Sequence, residues 1–283
     1  MIYFMMVSGG FLYSEVSLSK LIEVLAEPVV VETRTGQIFS GTCVEVNPER
    51  LVLLAEADDG SVEYTFFRSE VVRITLPGGS LKQKALELIA AGDVGRGLKL
   101  IDLLFAQQAP FHSYLAPATG SWFVEALPLY RTNGRLNDGL ARAQKLAAEW
   151  VLDEGDWVLL EDEILLSTLL AGRAVQAEKL ARVWIARQPR DASSALGWYA
   201  LGTIQRQTGE DDSALFTFLR PIVFCGHTPV PFLAECYAGA IEVALALKRD
   251  STAAALYREM AARQLTWPQG APALPESFIS LFP

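Results

Sequence analysis

Cysteine is scarce in this chain: Cys43, Cys225 and Cys236 are the only three among 283 residues. They are too few and too scattered for a disulfide framework, so buried or incidental thiols in a reducing, cytoplasmic setting are expected. Histidine is scarcer still, with His112 and His227. Cys225, His227 and Cys236 lie close in sequence, but zinc takes four ligands, usually from paired short spacings. That trio offers no fourth ligand and no CxxC step, and neither a metal nor a cofactor is expected. No apolar run reaches the length of a membrane span. The apolar start, Met1 to Val7, is short and has no basic flank, so it reads as a leading strand, or as an over-extended start upstream of Met5 or Met6, rather than a secretory signal. Clusters of lysine and arginine are missing as well. With a net charge of −9, the chain lacks the footprint of a phosphate-binding surface. The first 80 residues hold 5 basic and 11 acidic side chains, which weakens a nucleic-acid role for the front end further.

What is present is a recurring turn. Gly92, Gly134, Gly172 and Gly209, with a degenerate echo at Arg249, stand 42, 38, 37 and 40 residues apart. Five residues after each comes a very small residue: Gly97, Gly139, Ala177, Ala214 and Ala254. Two helices approach closely only where one side chain is short, so this period predicts stacked helix pairs. Ten helices are expected: 81–91 with 94–107, 119–132 with 136–152, 156–170 with 173–187, 192–207 with 211–225, and 231–247 with 250–264.

Ahead of them the period is shorter. Residues 14–26 carry apolar side chains on one helical face, and Ser14 or Ser17 can cap that helix. After Pro28 the pattern alternates, with Thr35-Gly36 as a turn and Asp59-Gly60 as a hairpin signal. Five short strands are expected, from Val29 to Leu76, in a strongly bent sheet or barrel. The fold class is therefore α+β in two domains: residues 1–79 as the small sheet domain, 80–264 as helical repeats, and 265–283 as a proline-rich apolar tail. That tail holds Trp267, Leu274, Phe278, Ile279, Leu281 and Phe282, and is expected to pack on the protein or on a neighbouring subunit.

Two family resemblances follow. Thr35-Gly36-Gln37-Ile38-Phe39-Ser40-Gly41, preceded by Val29 and Val31, resembles the first motif of Sm-like proteins, which have an SH3-like small barrel. Val71-Val72-Arg73-Ile74-Thr75-Leu76-Pro77 resembles the last strand of their second motif. The resemblance covers about residues 15–78 and implies edge-strand pairing between subunits. The Asp-Asn and Arg-Gly pairs of the RNA-binding members are replaced here by Asn47-Pro48-Glu49-Arg50-Leu51 and Phe67-Arg68. RNA binding is therefore the alternative expectation rather than the leading one. The helix pairs resemble tetratricopeptide repeats, best in the fourth, where Trp198, Leu201, Gly202, Gly209 and Ala214 keep that family's packing spacing. Pro189 fits the proline that often ends such a repeat, whereas Gln205 stands where an aromatic is usual.

The tetratricopeptide resemblance implies that the first helix of each pair lines a concave face. The third residue before each turn then puts Arg131, Leu169 and Arg206 there, joined by Asp162, Tyr199 and Thr203. Two arginines in a largely apolar groove suit a carboxylate or an acidic peptide. The competing expectation is that they hold local acids. The six tryptophans read as core, and Glu161-Asp162-Glu163 reads as a solvated face, because consecutive helical residues diverge by about 100°. His112 has no evident nucleophile beside it. No phosphate loop, Ser-His-Asp order or metal motif appears. The expected function is a non-enzymatic adaptor that binds a protein or peptide, with self-association as a dimer rather than a ring.

Overall fold

A computed structural model describes residues 27–57, 60–187, 194–224 and 230–280. The expected helix at 14–26 therefore lies outside the described residues, as do Asp59, Pro189, Cys225, His227, Leu281 and Phe282. By packing, the chain divides into two units, Met1–Phe123 with Glu149–Val151 and Val124–Ala148 with Leu152–Pro283.

The first unit opens with five antiparallel strands: β1 (Val29–Thr33), β2 (Ile38–Val46), β3 (Arg50–Ala57), β4 (Gly60–Phe67) and β5 (Val71–Thr75). Their order is β4-β3-β2-β1-β5, an open sheet with β4 and β5 at its edges. β2 bends halfway. Its first half pairs with β1, from Ile38 to Gly41, and its second half with β3, from Thr42 to Val46, with a register shift between Cys43 and Glu45. Gly41 sits at the bend because no side chain fits there: a Cβ would lie 2.6 Å from the Leu54 carbonyl oxygen. Val31, Leu51, Leu53 and Phe66 are buried on the inner face, as alternation requires.

A 3₁₀ helix, Ala109–Tyr114, supplies the rest of that core. Phe111 and Tyr114 are buried against the sheet. The Tyr114 hydroxyl donates to the Asn47 carbonyl at 2.9 Å. Arg68 donates from Nε to the Ser113 carbonyl at 2.8 Å, and its guanidinium lies 5.2 Å from the Tyr114 ring centre. Helices α1 (Gly79–Ala90) and α2 (Val94–Gln108) complete this unit, with Trp150 stacked 5.9 Å from Phe105.

The remaining long helices are α3 (Pro117–Thr132), α4 (Leu136–Glu149), α5 (Glu154–Leu170), α6 (Ala174–Arg187), α7 (Leu196–Gln207), α8 (Asp211–Phe224), α9 (Leu233–Ala246) and α10 (Asp250–Ala262). Their boundaries follow the expected pairs to within a few residues. Among the described residues ten long helices are present, followed by one short turn, α11 (Glu276–Ile279). Within the second unit, α6 packs on α7, α7 on α8, α8 on α9 and α9 on α10, and the alternate helices α5, α7 and α9 also touch in sequence.

The recurring turn has a single geometry. Gly92, Gly134, Gly172 and Gly209 all adopt a positive φ, and the next residue's amide reaches back five residues to a carbonyl of the helix it leaves. Asp93 reaches Leu88, Arg135 reaches Tyr130, Arg173 reaches Thr168 and Glu210 reaches Gln205. This is the Schellman closure of a helix, which favours glycine at the left-handed position. The fifth turn differs from expectation by one residue. Lys248, at φ 58°, takes the left-handed position, and Arg249 donates to the Ala244 carbonyl. The small positions do sit in close contacts: a Cβ on Gly97 would lie 2.4 Å from Ile89, and Ala177 and Ala214 are fully buried.

Candidate functional site

The six residues singled out from the sequence do not share one site. Arg131, on α3, donates from Nε to Glu163 at 3.0 Å, and Ser167 donates to the same carboxylate at 2.9 Å. Glu163 is buried, so its charge is matched inside the protein rather than offered to solvent. Asp162 accepts the indole N–H of Trp184 at 2.6 Å. Burial pushes its carboxyl above the ordinary carboxylate range, against the pull of that hydrogen bond. Leu169 is buried in the apolar core shared with Leu165, Ala181 and Leu201.

The run Glu161-Asp162-Glu163 is therefore not the solvated face expected of it. The 100° step between consecutive helical residues sends each carboxylate to a different partner: Glu161 to Arg187, Asp162 to Trp184, Glu163 to Arg131. Beside Glu161 and Arg187 lies an apolar cavity of about 210 Å³, walled by Trp157, Leu180 and Trp184.

Tyr199, Thr203 and Arg206 do come together. They sit at i, i+4 and i+7 on α7 and face Glu235, Ala238, Gly239 and Glu242 on α9 across a cavity of about 340 Å³. Leu170 closes one end, and the chain's own segment from Pro268 to Pro272 forms the outer wall. Phe218 fills the floor, pressed between Gly202 and Gly239. Tyr199 is held by a stacked ring, Phe232, at 5.8 Å, and its phenol is raised by burial and then by the Glu235 carboxylate. Phe232 itself adopts φ 65°, a left-handed conformation that a bulky residue rarely takes, at the entry to α9. Thr203 donates to the Tyr199 carbonyl at 2.8 Å.

Arg206 is ion-paired with Glu242, whose side chain is only 9% exposed. Both arginines proposed as clamps for an acidic ligand are thus already matched by glutamates. Glu235, half-buried in the same wall, has no ion pair or hydrogen bond among the described residues. Sequence reasoning missed Glu235 and Glu242. Each lies 36 residues after its α7 counterpart, Tyr199 and Arg206, and that offset was the available signal.

The outer wall is a strap. Trp267 and Leu274 pack on the core of the second unit, and Phe278 is buried there with its ring edge on Tyr257 at 5.8 Å. Between these anchors the strap bonds to itself, Ala271 to the Pro268 carbonyl and the Trp267 indole to the Pro272 carbonyl. The tail therefore packs on its own protein, the first of the two expected destinations.

In the first unit, the loops around Asn47 and Arg68 are engaged within the chain. Asn47 Oδ1 accepts the amides of Glu49 and Arg50, and its carbonyl takes the Tyr114 hydroxyl. Phe39 packs against Tyr64 and Phe66 at 4.9 and 5.0 Å. His112 Nδ1 lies 2.9 Å from the Ala109 carbonyl oxygen. Cys43 is half-buried, and that burial raises its thiol. Cys236 is fully buried. Among the described residues no helix is long and apolar enough to cross a membrane. No protein-family model matches the chain, and no characterised protein matches it in sequence.

Proposed function

We propose that this chain is a non-enzymatic scaffold: an Sm-like small barrel followed by tetratricopeptide-like repeats that bind an extended protein or peptide segment. The groove between α7 and α9 is the binding site, with Tyr199, Thr203 and Arg206 on one wall. The observation that carries this reading is the strap. A proline-flanked turn of the chain's own backbone, residues 268–272, closed by the Ala271 amide on the Pro268 carbonyl, already lies along that groove, with no side-chain hydrogen bond to it among the described residues. A surface that accommodates main chain against two facing helices suits a peptide better than a reaction centre. The reading assigns no catalytic residue and no cofactor.

The test is a photo-crosslinking amino acid placed at Thr203 in the full-length protein, with the same group at the exposed Phe216 as a control. A protein adduct formed from position 203 and absent from position 216 is expected. Adducts from neither position, together with a small molecule or nucleic acid that co-purifies, would overturn the scaffold reading.

A second reading, an RNA-associated factor, draws on the strand order β4-β3-β2-β1-β5, with β4 and β5 at the edges among the described residues. The intrachain use of Asn47 and Arg68 and the acidic front end weigh against it. Oligouridine binding whose affinity falls steeply with salt would favour it.

A further inference from the structure

We infer that the α7–α9 groove takes a basic side chain, the ammonium of a lysine or the guanidinium of an arginine, presented by an extended partner segment and received at Glu235. This rests on the peptide-binding reading above and names the chemistry of its partner.

The inference follows from the charges that line the groove. Glu235 and Glu242 face one arginine, Arg206. Arg206 is spent on Glu242, whose side chain is nine-tenths buried, so that pair is neutral as a unit. The strap wall is Pro268-Gln269-Gly270-Ala271-Pro272 and adds no charge. One carboxylate, Glu235, is left over. It is half-buried, so water screens it less than a surface acid.

An acidic ligand meets the opposite situation. To reach Arg206 it must break the pair with Glu242 and leave that buried carboxylate without a cation. It would also approach Glu235 directly. A cation needs no such rearrangement and gains Glu235 as a partner. The cavity, about 340 Å³, lies near the low end of small-ligand sites, which run from about 300 to 1,000 Å³. That is room for one long side chain, whose methylene stem would lie against Ala238 and Leu170 while its charged end reaches the polar wall. Tyr199 supplies a hydroxyl beside the same carboxylate.

The experiment uses the full-length protein and three labelled nonapeptides of alanine, glycine and proline. They have blocked ends and differ only at the central residue: lysine, glutamine or glutamate. Fluorescence anisotropy at low and physiological salt reads the affinities. The lysine peptide is expected to bind about tenfold more tightly than the glutamine peptide, with the glutamate peptide weakest. That preference should shrink as salt rises. Glu235→Gln should abolish the preference, whereas Glu178→Gln, on α6 outside the groove, should leave it intact. The comparison among peptides on the unaltered protein needs no variant, so a folding defect in Glu235→Gln would not blunt it.

Equal binding of all three peptides would overturn the charge assignment and leave the groove reading standing. A lysine preference that survives Glu235→Gln in a folded protein would also overturn it, because the cation would then be held elsewhere. Binding of none would overturn the inference. Failure of crosslinking from Thr203 as well would remove the groove reading with it.

Discussion

Gly202 and Phe218 stand so close that a Cβ added to the glycine would lie 2.6 Å from the phenylalanine ring. The ring is 1% exposed and touches Gly239 on its other side, so it has nowhere to move. Gly202→Ala is therefore expected to destabilise the second unit by about 1–3 kcal/mol, although alanine is the better helix former by about 1 kcal/mol. Gly95→Ala, in α2 with nothing within 4 Å of the new methyl, should instead stabilise by about 0.4–1 kcal/mol. Urea unfolding of the two variants reads the opposite signs.

The pair between Arg131 and Glu163 spans 32 residues and is largely withdrawn from water, at 25% and 9% side-chain exposure. Arg131→Met strands the carboxylate with Ser167 alone and should lower stability by about 3 kcal/mol. Arg131→Met combined with Glu163→Met should recover most of that loss, since two apolar side chains need no partner. A double-mutant cycle in urea measures the coupling, and additive losses would contradict it.

Asp162 gives a pH signature of unusual sign. Its folded pKa is raised above the unfolded value, chiefly by burial, so the charged form burdens the folded state at neutral pH. That burden is relieved as pH falls through the raised folded pKa and is gone below the unfolded one. Asp162→Asn keeps an oxygen for the Trp184 indole and carries no charge. It should be at least as stable as the parent at pH 7, with its advantage shrinking as the pH falls toward the ordinary carboxylate value. A gap between the two that widened on acidification would refute this assignment.

The strap depends on few anchors. Phe278 is 4% exposed and packs edge-on against Tyr257. Phe278→Ala should forfeit about 3–5 kcal/mol of docking, enough to release residues 268–280 before the helices unfold. Amide exchange in that segment should rise while α7 and α9 stay protected. Unchanged exchange would mean that Trp267 and Leu274 suffice.

Self-association is expected through the edge of β4, where Val62 and Phe67 are exposed and the outer side of the strand has no ladder partner among the described residues. Light scattering should give a mass above the 31.0 kDa of one chain, rising with concentration. Val62→Lys with Phe67→Lys should return it to one chain. A mass of 31.0 kDa at every concentration would exclude the association.

By itself, the sequence determined where elements begin and end. A glycine that must take a positive φ, a small residue five positions later and a run of alternating apolar side chains are local constraints, legible one segment at a time. They sufficed for the α+β class, the five strands and the ten long helices; of the six tryptophans expected in the core, Trp150 and Trp184 are buried and the other four are only half-buried. They were weaker at the fifth turn, where Lys248 takes a left-handed conformation that its side chain disfavours and pattern alone points to its neighbour.

Only tertiary structure decided who meets whom. Arg131 and Arg206 look alike in sequence, as cations on inward positions of repeated helices. Their meaning changed because Glu163 and Glu242, 32 and 36 residues away, close on them in low-dielectric surroundings. The same packing freed Glu235, set Phe218 between two glycines and laid the 268–272 strap across the groove. Electrostatic sign depends on the nearest opposite charge in space, and a repeat pattern specifies the face a side chain shares, not the partner it finds there.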